Sequence, residues 1–257
     1  MCFDAIARPP IPAIAGGAID GHDLTLSSRD GTQFSAYAAR AAQPTGTGVV
    51  ILPDVRGLHT YYTELTDRFA EHGMDAVAID YFGRTAGTGR REDDFQFWPH
   101  VEQTRASTVA DDVAAATAYL RSSEGGSVTR VFTVGFCFGG SNSWLQAANN
   151  LGLAGAIGFY GRPVGPARNG SPAPVDLVAA YQCPILGLFG GADQGISQEA
   201  IDTFEQALTT AKVPHELHVY PGAPHSFFDR HAAKYAEESA DAWRRILAFI
   251  EQHTATL

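Results

Sequence analysis

The sequence predicts an α/β fold, with a mostly parallel central sheet flanked by helices and antiparallel strands at its N-terminal edge. Three observations carry this. Six short apolar runs, at residues 49–52, 76–79, 131–134, 156–159, 185–189 and 217–220, have the length and continuity of strands covered on both faces. Helical patterns fall between most of them, at roughly residues 61–73, 103–122, 139–150 and 197–212, with another at 231–253. Strands alternating with helices assemble as a parallel sheet. Residues 23–27 and 33–37 instead alternate apolar and polar around Asp30-Gly31, which reads as an antiparallel hairpin at the start of the chain.

In chain order, residues 1–20 are rich in Ala, Pro and Gly and read as an extended arm, leaving residues 21–257 as a single α/β domain. The hairpin follows, then the strand and helix series. Two stretches break the alternation. Residues 83–100 carry Gly, Thr, Arg and the aromatics Phe95, Phe97 and Trp98, and residues 161–182 are rich in Pro and Gly. Both follow strand ends, where open α/β sheets place their ligand crevice, so both are expected at the rim of a site. No internal repeat is visible.

Bulk properties exclude several classes. At 257 residues and 45% hydrophobic content the chain can bury a large core. Its formal net charge of −10 argues against a nucleic-acid surface, which would be basic. No apolar run reaches the roughly 18 residues of a membrane span. Met1-Cys2-Phe3-Asp4 lacks the basic and apolar regions of a secretory leader, so a cytoplasmic location is the default expectation. Three widely spaced cysteines make no disulfide framework; Cys183, before Pro184 at a strand start, reads as core, and Cys2 as exposed and incidental. Composition says nothing of oligomeric state.

The most informative segment is Gly135-Phe-Cys137-Phe-Gly-Gly140, which follows the apolar run 131–134 and precedes a helical stretch. Strand, sharp turn and helix form the setting of a nucleophile elbow, here with cysteine at the central position. Glycines beside it let strand and helix approach closely. The helix start offers free N–H groups and a positive dipole end, both of which favour a thiolate. A dinucleotide-binding loop would need glycine at position 137, so that reading fails.

A cysteine nucleophile needs a base, and the base an orienting group. Asp193, in Phe189-Gly-Gly-Ala-Asp193, and His225, in Tyr220-Pro-Gly-Ala-Pro-His225, follow in the order nucleophile, acid, histidine. Each sits just after an apolar run, on the sheet edge that carries Cys137. His215 and His218 lack the helical spacing of a zinc motif and would point to opposite faces of a strand, so no metal is assigned.

Over roughly residues 20–252 the chain resembles the dienelactone hydrolases of the α/β-hydrolase superfamily. The blocks that carry the resemblance are Leu52-Pro-Asp54-Val-Arg-Gly57, Asp80-Tyr-Phe-Gly-Arg84, the elbow, Gly190-Gly-Ala-Asp193 and His225-Ser-Phe. It implies an α/β-hydrolase fold and a hydrolase of lactones or esters that needs no cofactor. Cys137 would be the nucleophile, His225 the base and Asp193 its orienter. Asp54 stands where the family has a glutamate that contacts the resting thiol, one methylene longer. The backbone N–H groups of Val55 and Phe138 would form the oxyanion hole. Arg84 matches an arginine that binds the substrate carboxylate, and Tyr160 and Ser226 match pocket positions. A second family arginine lies four residues after the histidine. Here that residue is Asp229, with Arg230, a substrate-binding candidate, one step later; the shift could point Arg230 elsewhere, leaving the carboxylate clamp half missing or rebuilt from Arg56, Arg90 or Arg91.

Three functional readings stand at this point. One is a cysteine-dependent hydrolase of a dienelactone-like, carboxymethylenebutenolide substrate through an acyl-thioester. A second is a general carboxylesterase or thioesterase acting on neutral acyl groups. A third is a non-catalytic protein whose Cys137 is a redox-sensitive thiol or a binding residue. The expected partner is a small-molecule lactone or ester, with no nucleic acid and no membrane.

Overall fold

The computed structural model describes residues 7–167 and 169–254, so Cys2 lies outside the described residues. It opens with β1 (Ala18–Ser27) and β2 (Gln33–Ala41), paired antiparallel. Gly31, at φ +83°, makes the turn between them, and Ser28 N–H donates to Thr32 O at 2.8 Å to close the hairpin. Next come β3 (Thr47–Leu52), α1 (Thr60–Glu71), β4 (Met74–Ile79), the short α2 (Gly83–Ala86) and α3 (Trp98–Gln103), then α4 (Ala106–Arg121) and β5 (Arg130–Phe136). The chain continues through α5 (Phe138–Gln146), β6 (Gly155–Phe159), α6 (Pro174–Leu177) with a 3-10 turn (Val178–Ala180), β7 (Ile185–Gly190), α7 (Gln198–Thr210), β8 (His215–Tyr220) and α8 (Ala236–Thr254).

The eight strands form one sheet in the order β1-β2-β4-β3-β5-β6-β7-β8. β2 pairs antiparallel with β4, and every pair from β4 to β8 is parallel. The predicted strands are all present, and the antiparallel pair sits at the N-terminal edge as expected. Alternation along each strand divides the core in two. Val49 and Ile51 of β3 and Ala76 and Ala78 of β4 face α1 and α8, with Tyr61, Leu65, Phe69, Trp243 and Ile246. Val50, Leu52, Val77 and Ile79 face the other way, against Val109, Val113 and Leu120 of α4. Strands buried on both faces cannot alternate with polar residues, which is why they read as continuous apolar runs.

Helix ends differ from the sequence expectation where turn geometry intervenes. The last predicted helix begins at Ala236 rather than near 231, because Asp229 and His231 N–H groups both turn back onto Ser226 O, at 3.1 and 3.3 Å. α5 ends at Gln146 rather than near 150. The irregular stretch 83–100 contains α2 and the start of α3, and 161–182 contains α6 and the 3-10 turn. Before β1, Ile11 is buried in the core, and Ile14 N–H donates to Glu71 Oε2 at 2.8 Å. None of the described helices is long and apolar enough to cross a membrane.

The parallel register sends β3, β5, β6, β7 and β8 out of the same sheet edge. Asp54, Cys137, Tyr160, Asp193 and His225 therefore emerge together. β3 has β4 on one side and β5 on the other, so successive connections leave in opposite directions there. A crevice opens at such a switch point, beside the turn that follows β5.

Candidate active site

Cys137 is the N-cap of α5 and has φ +55° and ψ −112°, backbone values that a residue with a side chain rarely adopts. The surroundings hold it there. Its N–H donates to Phe159 O at 3.0 Å, and its carbonyl accepts from Gly140 N at 3.0 Å and Ser141 N at 3.3 Å. The turn is so tight that a Cβ on Gly135 would run into the Gly139 carbonyl, and one on Gly139 into Leu52 O. Sterics thus require both glycines, and the strain puts Cys137 at the strand-to-helix corner. Tyr160 at φ +35° and Ser226 at φ +59° are strained in the same way.

His225 Nδ1 and Asp193 Oδ2 are 2.6 Å apart, and Asp193 Oδ1 accepts from Gly195 N at 2.8 Å. Both aspartate oxygens are thereby fixed. The pairing sets Nδ1 as the protonated ring nitrogen and leaves Nε2 as the basic one. Nε2 is buried and has no hydrogen-bond partner among the described residues. The Tyr160 ring lies 4.8 Å from the imidazole, centroid to centroid.

Cys137, His225, Asp193 and Tyr160 line one cavity of about 550 Å³. Val55 and Phe138 line it too, and Phe138, as the first residue of α5, has an N–H with no intrahelical acceptor. The two irregular stretches form its rim. Trp98 comes from the first and Arg162, Asn169, Pro172 and Pro174 from the second. Asn169 Nδ2 donates to Thr104 O at 2.8 Å and so ties the second stretch to the end of α3. Apolar walls come from Val55, Val101, Leu145 and Ile196.

The arginines separate clearly. Arg230 lines the cavity, its Nε is buried without a hydrogen-bond acceptor, and it makes no ion pair among the described residues. Arg162, which the sequence did not single out, also lines the cavity from an exposed position with no ion pair among the described residues. Arg84 is not brought to the cavity. Its guanidinium donates to Asp112 Oδ2 at 2.8 Å, to Asp30 Oδ2 at 2.8 Å and to Ser28 Oγ at 2.7 Å, fastening the hairpin turn to α4. Three acceptors, one of them a fully buried carboxylate, leave it no fork to offer a substrate. Arg90 pairs with Asp23 at 2.8 Å and Arg91 with the buried Asp80 at 2.7 Å, so neither rebuilds the clamp.

Asp54 is likewise paired within the protein. It does not line the cavity; its side chain is engaged by Arg56. Arg56 donates from its backbone N to Oδ1 at 2.8 Å and from Nη2 to Oδ2 at 2.7 Å, with Nε shared between both oxygens at 3.1 Å. The short side chain turns back to the arginine two residues on. Burial would raise the Asp54 carboxyl, but the charge and hydrogen bonds of Arg56 outweigh it and hold the group below the usual range. Arg56 reaches a second buried carboxylate as well, Asp229 Oδ2, at 2.8 Å. Ser226 is buried and is not among the cavity residues; its carbonyl organises the turn beside His225. No cluster of His, Cys, Asp and Glu suited to a metal occurs among the described residues.

The chain is similar to several known proteins. The model of the dienelactone hydrolase family matches residues 34–254. A protein of Escherichia coli (strain K12), provisionally named a carboxymethylenebutenolidase, is 33% identical over 256 residues, covering 96% of this chain and 91% of its own. A Bradyrhizobium protein provisionally named a 2-oxo-3-(5-oxofuran-2-ylidene)propanoate lactonase is 29% identical over 234 residues, 87% of this chain and 92% of its own. A crystal structure from Klebsiella pneumoniae, provisionally named a dienelactone hydrolase, superposes with a TM-score of 0.76 at 30% identity. It covers 90% of this chain and 99% of its own. The chain is a hydrolase and belongs to the dienelactone hydrolase family.

Proposed function

We propose that this hydrolase opens small lactones or esters through Cys137, with His225 as general base and Asp193 as its orienter, and that Arg230 selects substrates bearing a carboxylate. The observation that carries the reading is the strained Cys137 at the elbow, facing the same cavity as a histidine already hydrogen-bonded to a buried aspartate. Both relatives' names describe an unsaturated five-membered lactone whose side arm ends in a carboxyl group. Such a molecule fits a cavity of about 550 Å³ with apolar walls and an arginine that makes no ion pair among the described residues.

The steps follow from the arrangement. The imidazole Nε2 takes the thiol proton, and Sγ attacks the ring carbonyl. The carbonyl oxygen becomes an oxyanion facing the N–H groups of Val55 and Phe138, whose pre-set dipoles stabilise the developing charge. The carbon–oxygen ring bond breaks, and the ring oxygen leaves as an enolate that takes the proton from the imidazolium. The product stays attached as a thioester. His225 then removes a proton from water, whose oxygen attacks the thioester carbon; the carbon–sulfur bond breaks, the acid is released and the imidazolium returns its proton to Sγ. Asp193 holds the imidazole in one tautomer throughout and stabilises its charged form.

Hydrolysis of cis- and trans-dienelactone by the wild-type protein, with Cys137→Ala as the blank, tests the reading. Cysteine-dependent turnover together with a Cys137-linked acyl adduct in mass spectrometry supports it; equal turnover by the variant rejects it. The apolar walls favour a second reading, hydrolysis of neutral esters. An Arg230→Gln variant that leaves every substrate unaffected would select that one.

A further inference from the structure

The oxyanion donor and the base belong to loops that the sheet does not hold together. Val55 follows β3 and His225 follows β8, and β5, β6 and β7 lie between those strands. Catalysis needs such groups placed within about 0.5 Å of the productive geometry. A cross-link between the two loops is present, and it is built from buried charge.

We infer that Arg56 is a positioning residue: by bridging Asp54 and Asp229 it locks the oxyanion loop to the histidine loop. This rests on the nucleophile reading above and extends it to residues outside the proposed triad. A single nitrogen, Nη2, donates to both carboxylates, at 2.7 Å to Asp54 and 2.8 Å to Asp229. All three residues are buried, at 4%, 8% and 5% exposure for Asp54, Arg56 and Asp229. Val55 sits between Asp54 and Arg56 in a turn closed by Gly57 N–H donating to Asp54 O at 3.1 Å. Gripping Arg56 therefore grips Val55. At the other end, Asp229 N–H donates to Ser226 O at 3.1 Å, so holding Asp229 holds the turn that starts beside His225. Tyr61 Oη donates to Phe228 O at 2.7 Å and makes a second tie from α1 to the same turn.

The arrangement is an unfavourable way merely to fill space. Two carboxylates share one guanidinium, and Asp229 Oδ1 has no hydrogen-bond partner among the described residues. Burial of uncompensated charge is costly, and apolar residues of the same volume would pack at least as stably. A bridge that fixes orientation is what the ionic version adds, because the planar fork has one geometry in which it can serve both partners.

The test separates positioning from simple structural support. Asp229→Ala removes the histidine-loop end and leaves Arg56 paired with Asp54, so no cation is stranded. Turnover of 4-nitrophenyl acetate is measured per intact site, with sites counted by iodoacetamide labelling of Cys137. Alkylation needs the thiol but not the oxyanion hole. The expected result is a kcat about tenfold lower, KM within about twofold and an unchanged number of labelled sites, the pattern of an interaction realised in the transition state. Asp229→Asn, which keeps an oxygen acceptor, recovers kcat to within about threefold. Arg56→Lys keeps the charge, loses the fork and shows the same split as Asp229→Ala if that variant does not fold. Unchanged kcat per labelled site in a folded Asp229→Ala overturns the inference, even if fewer sites are labelled. Wild-type turnover by Cys137→Ala would instead remove the nucleophile reading, so the two failures are distinguishable.

Discussion

Arg84 and Arg230 are two arginines to which the sequence assigned the same task, binding a substrate carboxylate, and the fold treats them oppositely. Arg84 lies at the periphery with its guanidinium shared among Asp30, Asp112 and Ser28. Arg230 lies on the cavity wall with a buried Nε and no ion pair among the described residues. Both stand near the ends of parallel strands, Arg84 at the end of a motif block and Arg230 three residues past one. The difference lies in what else the chain supplies. The hairpin turn brings Asp30 and α4 brings Asp112 to Arg84, whereas the turn after His225 sends its own acid, Asp229, to Arg56. A guanidinium already satisfied by internal carboxylates cannot also recognise a ligand, so the partner inventory decides role more directly than motif position does.

The largest effect expected belongs to the proposed nucleophile on which that comparison depends. Cys137→Ala should lower kcat/KM by at least roughly 10³-fold, leaving the residual rate that the oxyanion donors and binding supply. Cys183→Ala, altering a buried thiol that burial pushes up to about 12, should leave turnover unchanged. Steady-state kinetics on one ester checks both, and equal losses would show that the elbow is not the reacting centre. Next, Arg230→Gln should raise KM for carboxylate-bearing lactones by about 30-fold, the order of one to two charge-assisted hydrogen bonds, and leave neutral esters alone. Arg230→Lys should fall between, since an ammonium cannot form the paired bonds. If neutral and acidic substrates lose equally, the contrast between the two arginines fails.

Arg84→Gln should do the reverse. Activity per folded molecule should stay within about twofold, while stability falls by about 2–3 kcal/mol, because Asp112 is left buried and unpaired. Asp112 is only 1% exposed, and burial already pushes its carboxyl above the usual range despite Arg84. Adding Asp112→Asn should restore much of the loss by removing the stranded charge. Denaturant titration of the single and double variants reads this directly. A fall in catalysis without a fall in stability would return Arg84 to the site.

The sheet and the strand-end order of the candidate triad were legible because each rests on a local signal. Continuous apolar runs mark doubly covered strands, and Gly135, Cys137 and Gly139 mark a turn that sterics allow in few other sequences. Asp193 and His225 were found because strand ends in a parallel sheet share an edge. What was not legible was pairing at a distance. Asp54 looked like a group facing the thiol, yet its oxygens are taken by Arg56, two residues along. That Arg56 continues to Asp229, 173 positions away, leaves no trace in any spacing. Arg162 was missed for the same reason, since it sits in a Pro- and Gly-rich stretch with no periodicity to say which way it points. The aromatics of 83–100 divide similarly, Trp98 facing the cavity rim while Phe95 stacks on His100 at 4.8 Å.

The smallest effect concerns pH, and it sharpens the comparison by asking what an arginine does when two acids compete for it. Burial pushes the Asp229 carboxyl up to about 7; the charge and hydrogen bond of Arg56 only partly offset this, and the negative charge of Asp54 works against them. A carboxyl raised on folding contributes stability that is fully present below its unfolded value, near 4, and is lost as pH rises through about 7. Asp229→Asn cannot ionise, so the variant should gain on the wild type between pH 5 and pH 8, by about 2–3 kcal/mol. The lowered Asp54 carboxyl acts in the opposite sense and only in more acidic solution, outside this window. His59, which burial lowers to about 4, changes wild type and variant alike and drops out of the difference. Urea titrations of both proteins at the two pH values give the sign. A variant that loses ground as pH rises would mean that Asp229 is held ionised by Arg56 on equal terms with Asp54, and that the guanidinium satisfies both acids fully.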